Sequence, residues 1–139
     1  MAVEFTTNLS GAIKDIDKKV RQAAEEIGQA AETHAKLYVT NGVYHSAEGW
    51  YRRTGNLRNN ITHETQKESN GYSAIVASPT KYALYVELGT GGGGRKWSYK
   101  GSDGKWHTTS GMPPRPFIRP AVENHIQEYK EILEEILAE

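Results

Sequence analysis

Residues 8–38, NLSGAIKDIDKKVRQAAEEIGQAAETHAKLY, decide the fold. Leu9, Ile13, Ile16, Val20, Ala24, Ile27 and Ala31 recur at intervals of three and four, which places them on one stripe of an α-helix. Lys14, Lys18, Arg21, Glu25 and Glu32 occupy the opposite face. Thr7 or Asn8 supplies the N-cap, and Asn41-Gly42 supplies a left-handed stop. A stripe of this length either packs on the chain's own sheet or pairs with a partner helix as a coiled coil. The small alanines within it favour close packing on the chain's own sheet.

A second helix closes the chain. It begins near Pro120, which suits a first turn, and runs to about residue 137, with Val122, Ile126, Tyr129, Leu133 and Ile136 on its buried stripe. Between the two helices the helical period gives way to short β-rich runs. Residues 43–53 (VYHSAEGWYRR) show no period and read as a mobile loop with aromatic anchors. Residues 54–60 (TGNLRNN) read as one capped helical turn. Residues 61–65 and 72–77 read as strands joined by a turn at Ser69-Asn70-Gly71. Lys81 to Leu88 fits either period, with a short helix preferred. Residues 96–100 and 105–109 flank Gly101-Ser-Asp-Gly104 as a second hairpin, with Trp97 and Trp106 as a cross-strand pair. Pro113, Pro114, Pro116 and Pro120 mark a stiff extended run. The fold class is therefore α+β: a long N-terminal helix and a C-terminal helix packed on an antiparallel β-sheet, with a protruding Gly-rich hairpin arm over 91–111.

A chain of 139 residues is one domain, 1–139, long enough to bury a core without staples. It has no cysteine, which excludes a disulfide scaffold and a thiolate metal site. No signal peptide and no membrane span are evident, so the expectation is a soluble protein made inside a cell. The net charge of zero hides an uneven distribution. Residues 1–49 carry five Lys/Arg against seven Asp/Glu, a net of −2, and residues 50–119 carry eleven against four, a net of +7. Residues 120–139 carry one against six, a net of −5. A basic middle between acidic ends suits nucleic-acid binding, copies meeting plus to minus, or simply an uneven solvated surface.

The motifs that resemble catalytic or cofactor sites are incomplete. Gly89-Thr-Gly-Gly-Gly-Gly94 matches a dinucleotide fingerprint in letters, but that fingerprint needs a helix directly after the glycines, and Arg95 to Tyr99 reads as a strand. A phosphate loop needs Lys and then Ser or Thr after the last glycine, where Arg95 and Lys96 stand. No two of the five histidines sit three or four residues apart, and no serine occupies a nucleophile elbow. The reading is a non-enzyme with no cofactor, no metal and no small-molecule substrate. Basic residues interleaved with aromatics, at Trp50 to Arg53 and Arg95 to Lys100, suit stacking on single-stranded nucleic acid. They suit a protein-binding hairpin better.

Three segments in order carry a resemblance: Thr54-Gly-Asn-Leu-Arg-Asn-Asn-Ile61, Tyr82-Ala-Leu-Tyr-Val-Glu-Leu-Gly-Thr90 and Pro114-Arg-Pro-Phe-Ile-Arg-Pro-Ala121. Together they resemble the gene-product-ten-like family of lambdoid tailed phages (siphophages), whose members are tail-component, head–tail joining or tail completion proteins. The resemblance implies a virion structural protein of the neck or tail, made in the host bacterial cytoplasm. It also implies a homo-oligomeric ring of six subunits that contacts the connector or adaptor above and the tail tube below. It implies no membrane, and DNA contact only as a channel lining. The residues expected at subunit or partner contacts are Arg58, Tyr82, Tyr85, Glu87, Trp97, Trp106, Arg115, Phe117 and Arg119. Phe117 serves equally well as core under the C-terminal helix. The alternative function is a nucleic-acid-binding accessory protein using the basic 50–119 region.

Overall fold

The computed structural model describes residue 3 and residues 9–44, 55–91 and 95–139. The expected N-caps Thr7 and Asn8, and the aromatic-anchored segment 45–54, lie outside the described residues. Helix α1 spans Leu9–Tyr38. Its buried face is built from small residues, Ala23, Ala24, Gly28, Ala31 and Ala35, which let the backbone lie close to a neighbouring sheet. That sheet is the antiparallel hairpin of β1 (Thr62–Glu68) and β2 (Gly71–Ala77), joined by a two-residue turn at Ser69-Asn70 and paired from Thr62↔Ala77 to Glu68↔Gly71. Gly28 marks the closest approach, because a Cβ there would lie 3.0 Å from the His63 ring.

The stripe does not bury along its whole length. Leu9 is 67 % exposed, and Ile13 and Ile16 are also largely exposed. The reason is dimensional. A helix of 30 residues is about 45 Å long at 1.5 Å per residue, whereas strands of seven residues cover only about 23 Å. The first turns of α1 overshoot the sheet. Nor does the other end stop at Asn41-Gly42. The chain continues as a π-turn over Val39–Tyr44, and Gly42 does not take the left-handed conformation. Val39 is fully buried there, and the Arg58 guanidinium donates to Thr40 Oγ1 at 3.4 Å, so packing keeps the chain wound.

Helix α2 (Asn56–Asn59) comes after Gly55, whose left-handed φ of 80° starts the turn without a side-chain cap. Helix α3 spans Ala83–Leu88 and ends at Gly89, again at positive φ. A Cβ at Gly89 would strike Met112 O at 2.7 Å and Pro114 N at 2.8 Å, so only glycine fits this crossing. Strands β3 (Trp97–Lys100) and β4 (Trp106–Thr109) form a second, separate two-stranded sheet. Its register pairs Trp97 with Thr109 and Lys100 with Trp106, which corrects the expected tryptophan pair. The offset of three places the two indoles on opposite faces. Trp97 lies instead beside Tyr99, and Tyr99 stacks on His107.

The C-terminal helix is broken in two. Helix α4 spans Ile118–Glu123 and is capped at Asn124, His125 leaves helical geometry, and α5 spans Ile126–Ala138. The break rotates the anticipated stripe: Ile136 is buried and Tyr129 and Leu133 are half-buried, but Val122 and Ile126 are exposed. The main core gathers Ala35, Val39, Leu57, Ile61, Ala83, Val86, Phe117 and Ala121. Phe117 is its largest member at 1 % exposure, in one cluster with Ala35 of α1, Val86 of α3 and Ala121 of α4. Burying such a side chain stabilises the fold by about 1.5–3 kcal/mol.

Candidate functional site

The residues expected at contacts divide by location. Tyr82, Tyr85, Trp97, Trp106 and Arg119 are exposed. Tyr85 shares the outer face of α3 with the exposed Leu84 and Leu88, so this short helix presents apolar surface outward while Ala83 and Val86 anchor it to the core. Trp106, 73 % exposed, is the most open large hydrophobic side chain among the described residues of the β3–β4 hairpin. Arg119 holds Glu123 one turn on, with Nε 3.1 Å from Oε1. An exposed pair of that kind contributes about 0–1 kcal/mol and leaves both charges available to a neighbour.

Glu87 and Phe117 act inside the subunit. The Glu87 carboxylate accepts from the backbone amides of Phe117 (2.7 Å), Ile118 (3.0 Å) and Arg119 (2.9 Å). Those are the first amides of α4, whose N-cap residue has no side-chain cap of its own. Glu87 therefore caps α4 from α3, a role that sequence spacing does not reveal across thirty residues. Arg58, through Thr40, ties α2 to the π-turn. Arg115 is half-buried, and its backbone amide donates to Val86 O at 2.8 Å.

The described glycines at either end of the 91–111 segment serve the hairpin. Thr90 and Met112 bridge its base through N–H···O bonds of 2.8 and 3.1 Å in the two directions. Gly91 and Gly111, both at positive φ, face each other just beyond that bridge. Among the described residues the next element along the chain is strand β3, whereas a nucleotide fingerprint requires a helix N-terminus after the glycines.

Two histidine clusters tie α1 to the rest of the molecule. His63 on β1 sits between two carboxylates of α1, with Nδ1 2.6 Å from Glu32 Oε2 and Nε2 2.7 Å from Glu25 Oε1. A ring with a carboxylate at each nitrogen is held as imidazolium, and the bonds to Glu25 and then Glu32 raise its pKa above the ordinary 6.5. The Glu25 carboxyl is lowered by His63 and then by Thr65, which donates to it at 2.8 Å. For Glu32, burial opposes ionisation most, but the bonds from Lys36 and His63 prevail and lower it. The second cluster joins His34 of α1 to His125 and Glu128 at the α4–α5 corner, with Glu128 Oε2 2.7 Å from His34 Nε2 and 3.4 Å from His125 Nδ1. Among the described residues this trio could ligate a metal ion. A search for paired histidines passes over it, because its ligands come from distant elements. The local signal is His125 and Glu128, three residues apart on one helical stretch.

No helix of the described residues is long and apolar enough to cross a membrane. Comparison with curated proteins and with solved structures finds no match. A family model described as "Bacteriophage HK97-gp10, putative tail-component" matches residues 4–89, from before α1 to the end of α3. It includes the Thr54–Ile61 segment and almost all of Tyr82–Thr90, and stops before the β3–β4 hairpin and the Pro114–Ala121 run. The match covers more than half of the chain, with the α+β fold and the outward-facing α3 as its setting: this chain belongs to the HK97-gp10-like family of bacteriophage tail components.

Proposed function

We propose that this tail component forms a ring at the head–tail junction or tail end of the particle, in a completion, joining or terminator role. Its partners are copies of itself, the connector or adaptor above and the tail tube below. The ring is six-fold, to match the tail, and the protein is structural rather than catalytic. The observation that carries this reading is the pairing of unlike surfaces on one subunit. One is basic and aromatic: α3 with Tyr82 and Tyr85, and the β3–β4 hairpin with Trp97, Trp106, Lys96 and Lys100. The other is acidic with an apolar edge: α4–α5 with Val122, Ile126 and Leu137 exposed among Glu123, Glu131 and Glu134. Unlike surfaces that meet in a repeated, rotated contact close into a ring when the rotation divides the circle. The charges set orientation, and the aromatic side chains supply the strength.

The hairpin offers a clean experiment. Excising residues 92–110 joins Gly91 to Gly111 directly beyond the Thr90–Met112 bridge. Both glycines already have positive φ, 53° and 63°, as a two-residue type I′ turn requires. The shortened protein should fold with native stability and fail to complete particles. A shortened protein that supports normal yields of joined heads and tails removes the hairpin from the contact surface.

A further inference from the structure

A metal-ligating set lies where α1 meets the α4–α5 corner, beside the acidic face assigned to ring contacts. His34, His125 and Glu128 each bring one donor atom to within 4.8 Å of the other two. Two imidazole nitrogens and one carboxylate form a donor set suited to borderline cations such as Zn²⁺, with a fourth position left for water or a neighbour's side chain. The three side chains are 21, 23 and 45 % exposed, so the cluster sits in the seam between α1 and the C-terminal corner.

Two further observations point to a corner shaped around His125. The first is the helix break. Asn124 keeps helical dihedrals and its amide donates to Pro120 O at 3.0 Å, and the chain leaves helical geometry at His125, with φ −124° and ψ 18°. The break brings the His125 ring against the His34 ring. The Ala121 carbonyl, which a continuous helix would offer to the amide of His125, instead accepts from the Tyr129 hydroxyl. The second is ring orientation. His125 Nε2 faces Tyr38 Oη at 3.2 Å, and Asn124 Nδ2 donates to the same oxygen at 3.4 Å. Holding the far nitrogen in this way presents Nδ1 toward Glu128, as outer groups do for ligating histidines.

We propose that His34, His125 and Glu128 bind one divalent transition-metal ion of the Zn²⁺ class, which cross-links α1 to the α4–α5 corner. The two rings lie parallel with centroids 3.5 Å apart. Ligation therefore turns the His34 ring about its Cβ–Cγ bond until its lone pair converges beside Glu128 Oε2 with that of His125 Nδ1, whose ring Tyr38 holds. The ligating nitrogens must be unprotonated, so binding strengthens as pH rises.

The test uses the full, untagged chain, stripped with chelator and titrated with Co²⁺ and then Zn²⁺. One equivalent should bind, with visible Co²⁺ absorption that Zn²⁺ displaces and a rise in the thermal midpoint. His34→Ala and Glu128→Gln should each abolish the stoichiometric step, and Tyr38→Phe should weaken it about ten- to a hundred-fold. His107→Ala, in the distant hairpin, should leave it intact. Glu128 is half-exposed, so its variant keeps the test valid even if His34→Ala disturbs folding. Absence of stoichiometric binding at micromolar metal, or undiminished binding by Glu128→Gln, overturns the proposal.

Discussion

Replacing Glu87 with alanine removes the acceptor for three backbone amides at once. The cost depends on where those amides lie. The amide of the buried Phe117 loses a charged acceptor in a part-buried bond, which costs about 1–3 kcal/mol. Ile118 is half-buried and Arg119 is exposed, so their amides recover water, and what remains is the loss of an N-terminal cap, about 1 kcal/mol. The sum is about 2–4 kcal/mol, or roughly 10 °C in the thermal midpoint for a domain of this size. Glu87→Gln keeps one acceptor oxygen but loses the charge and turns a donor toward the amides, so it should fall between native and alanine. Urea melts of the three proteins give the energies, and amide exchange at residues 117–119 gives the location. Exchange there should accelerate more than in α5. If Glu87→Ala melts within about 0.5 kcal/mol of the native protein, the carboxylate does not cap α4 and its contact role reopens.

Phe117→Ala should cost about 3–5 kcal/mol by equilibrium unfolding, because the cavity opens where three helices converge. The His63 clamp predicts a pH dependence with a definite sign. His63 has a raised pKa, so its contribution is complete below about 6.5 and is lost as pH rises through the higher folded value. Glu25 and Glu32 have lowered values, so theirs is present above about 4.5 and is lost as pH falls through the lower folded values. Stability should therefore be greatest from about pH 4.5 to 6.5, and His63→Gln should flatten the decline on the alkaline side in pH-dependent urea melts. Gly28→Ala would gain about 1 kcal/mol of helix propensity in isolation. Here its Cβ meets a ring fixed on both sides by carboxylates, so it should destabilise, and a double-mutant cycle with His63→Ala should recover the gain.

The parts of the fold legible in the sequence are those set by local periodicity. The alternation of threes and fours places α1 within a residue of its start, and the turn signals place both hairpins. The misread features depend on distance and neighbours. Periodicity says which side of a helix is apolar but not how far the sheet beneath it reaches, so it assigns Leu9, Ile13 and Ile16 to packing that the short strands cannot provide. Asn41-Gly42 is a stop by composition, yet the buried Val39 and the Arg58–Thr40 bond keep the chain wound past it. The tryptophan pairing fails by register: the Gly101 amide bonds to Lys105 O, which sets Lys100 opposite Trp106 and Trp97 opposite Thr109. At the candidate site, the exposed aromatics are visible from their setting. The capping role of Glu87, and the meeting of His34 with His125, appear only when distant elements are brought together.

The most direct test of the ring assignment is imaging of intact particles, with the density at the neck and tail end resolved well enough to place this chain. The account predicts a six-fold ring at the head–tail junction or tail end, with α3 and the β3–β4 hairpin of each subunit against the acidic α4–α5 face of the next. Isolated single copies, or a ring whose subunit contacts omit the basic 50–119 region, would contradict it.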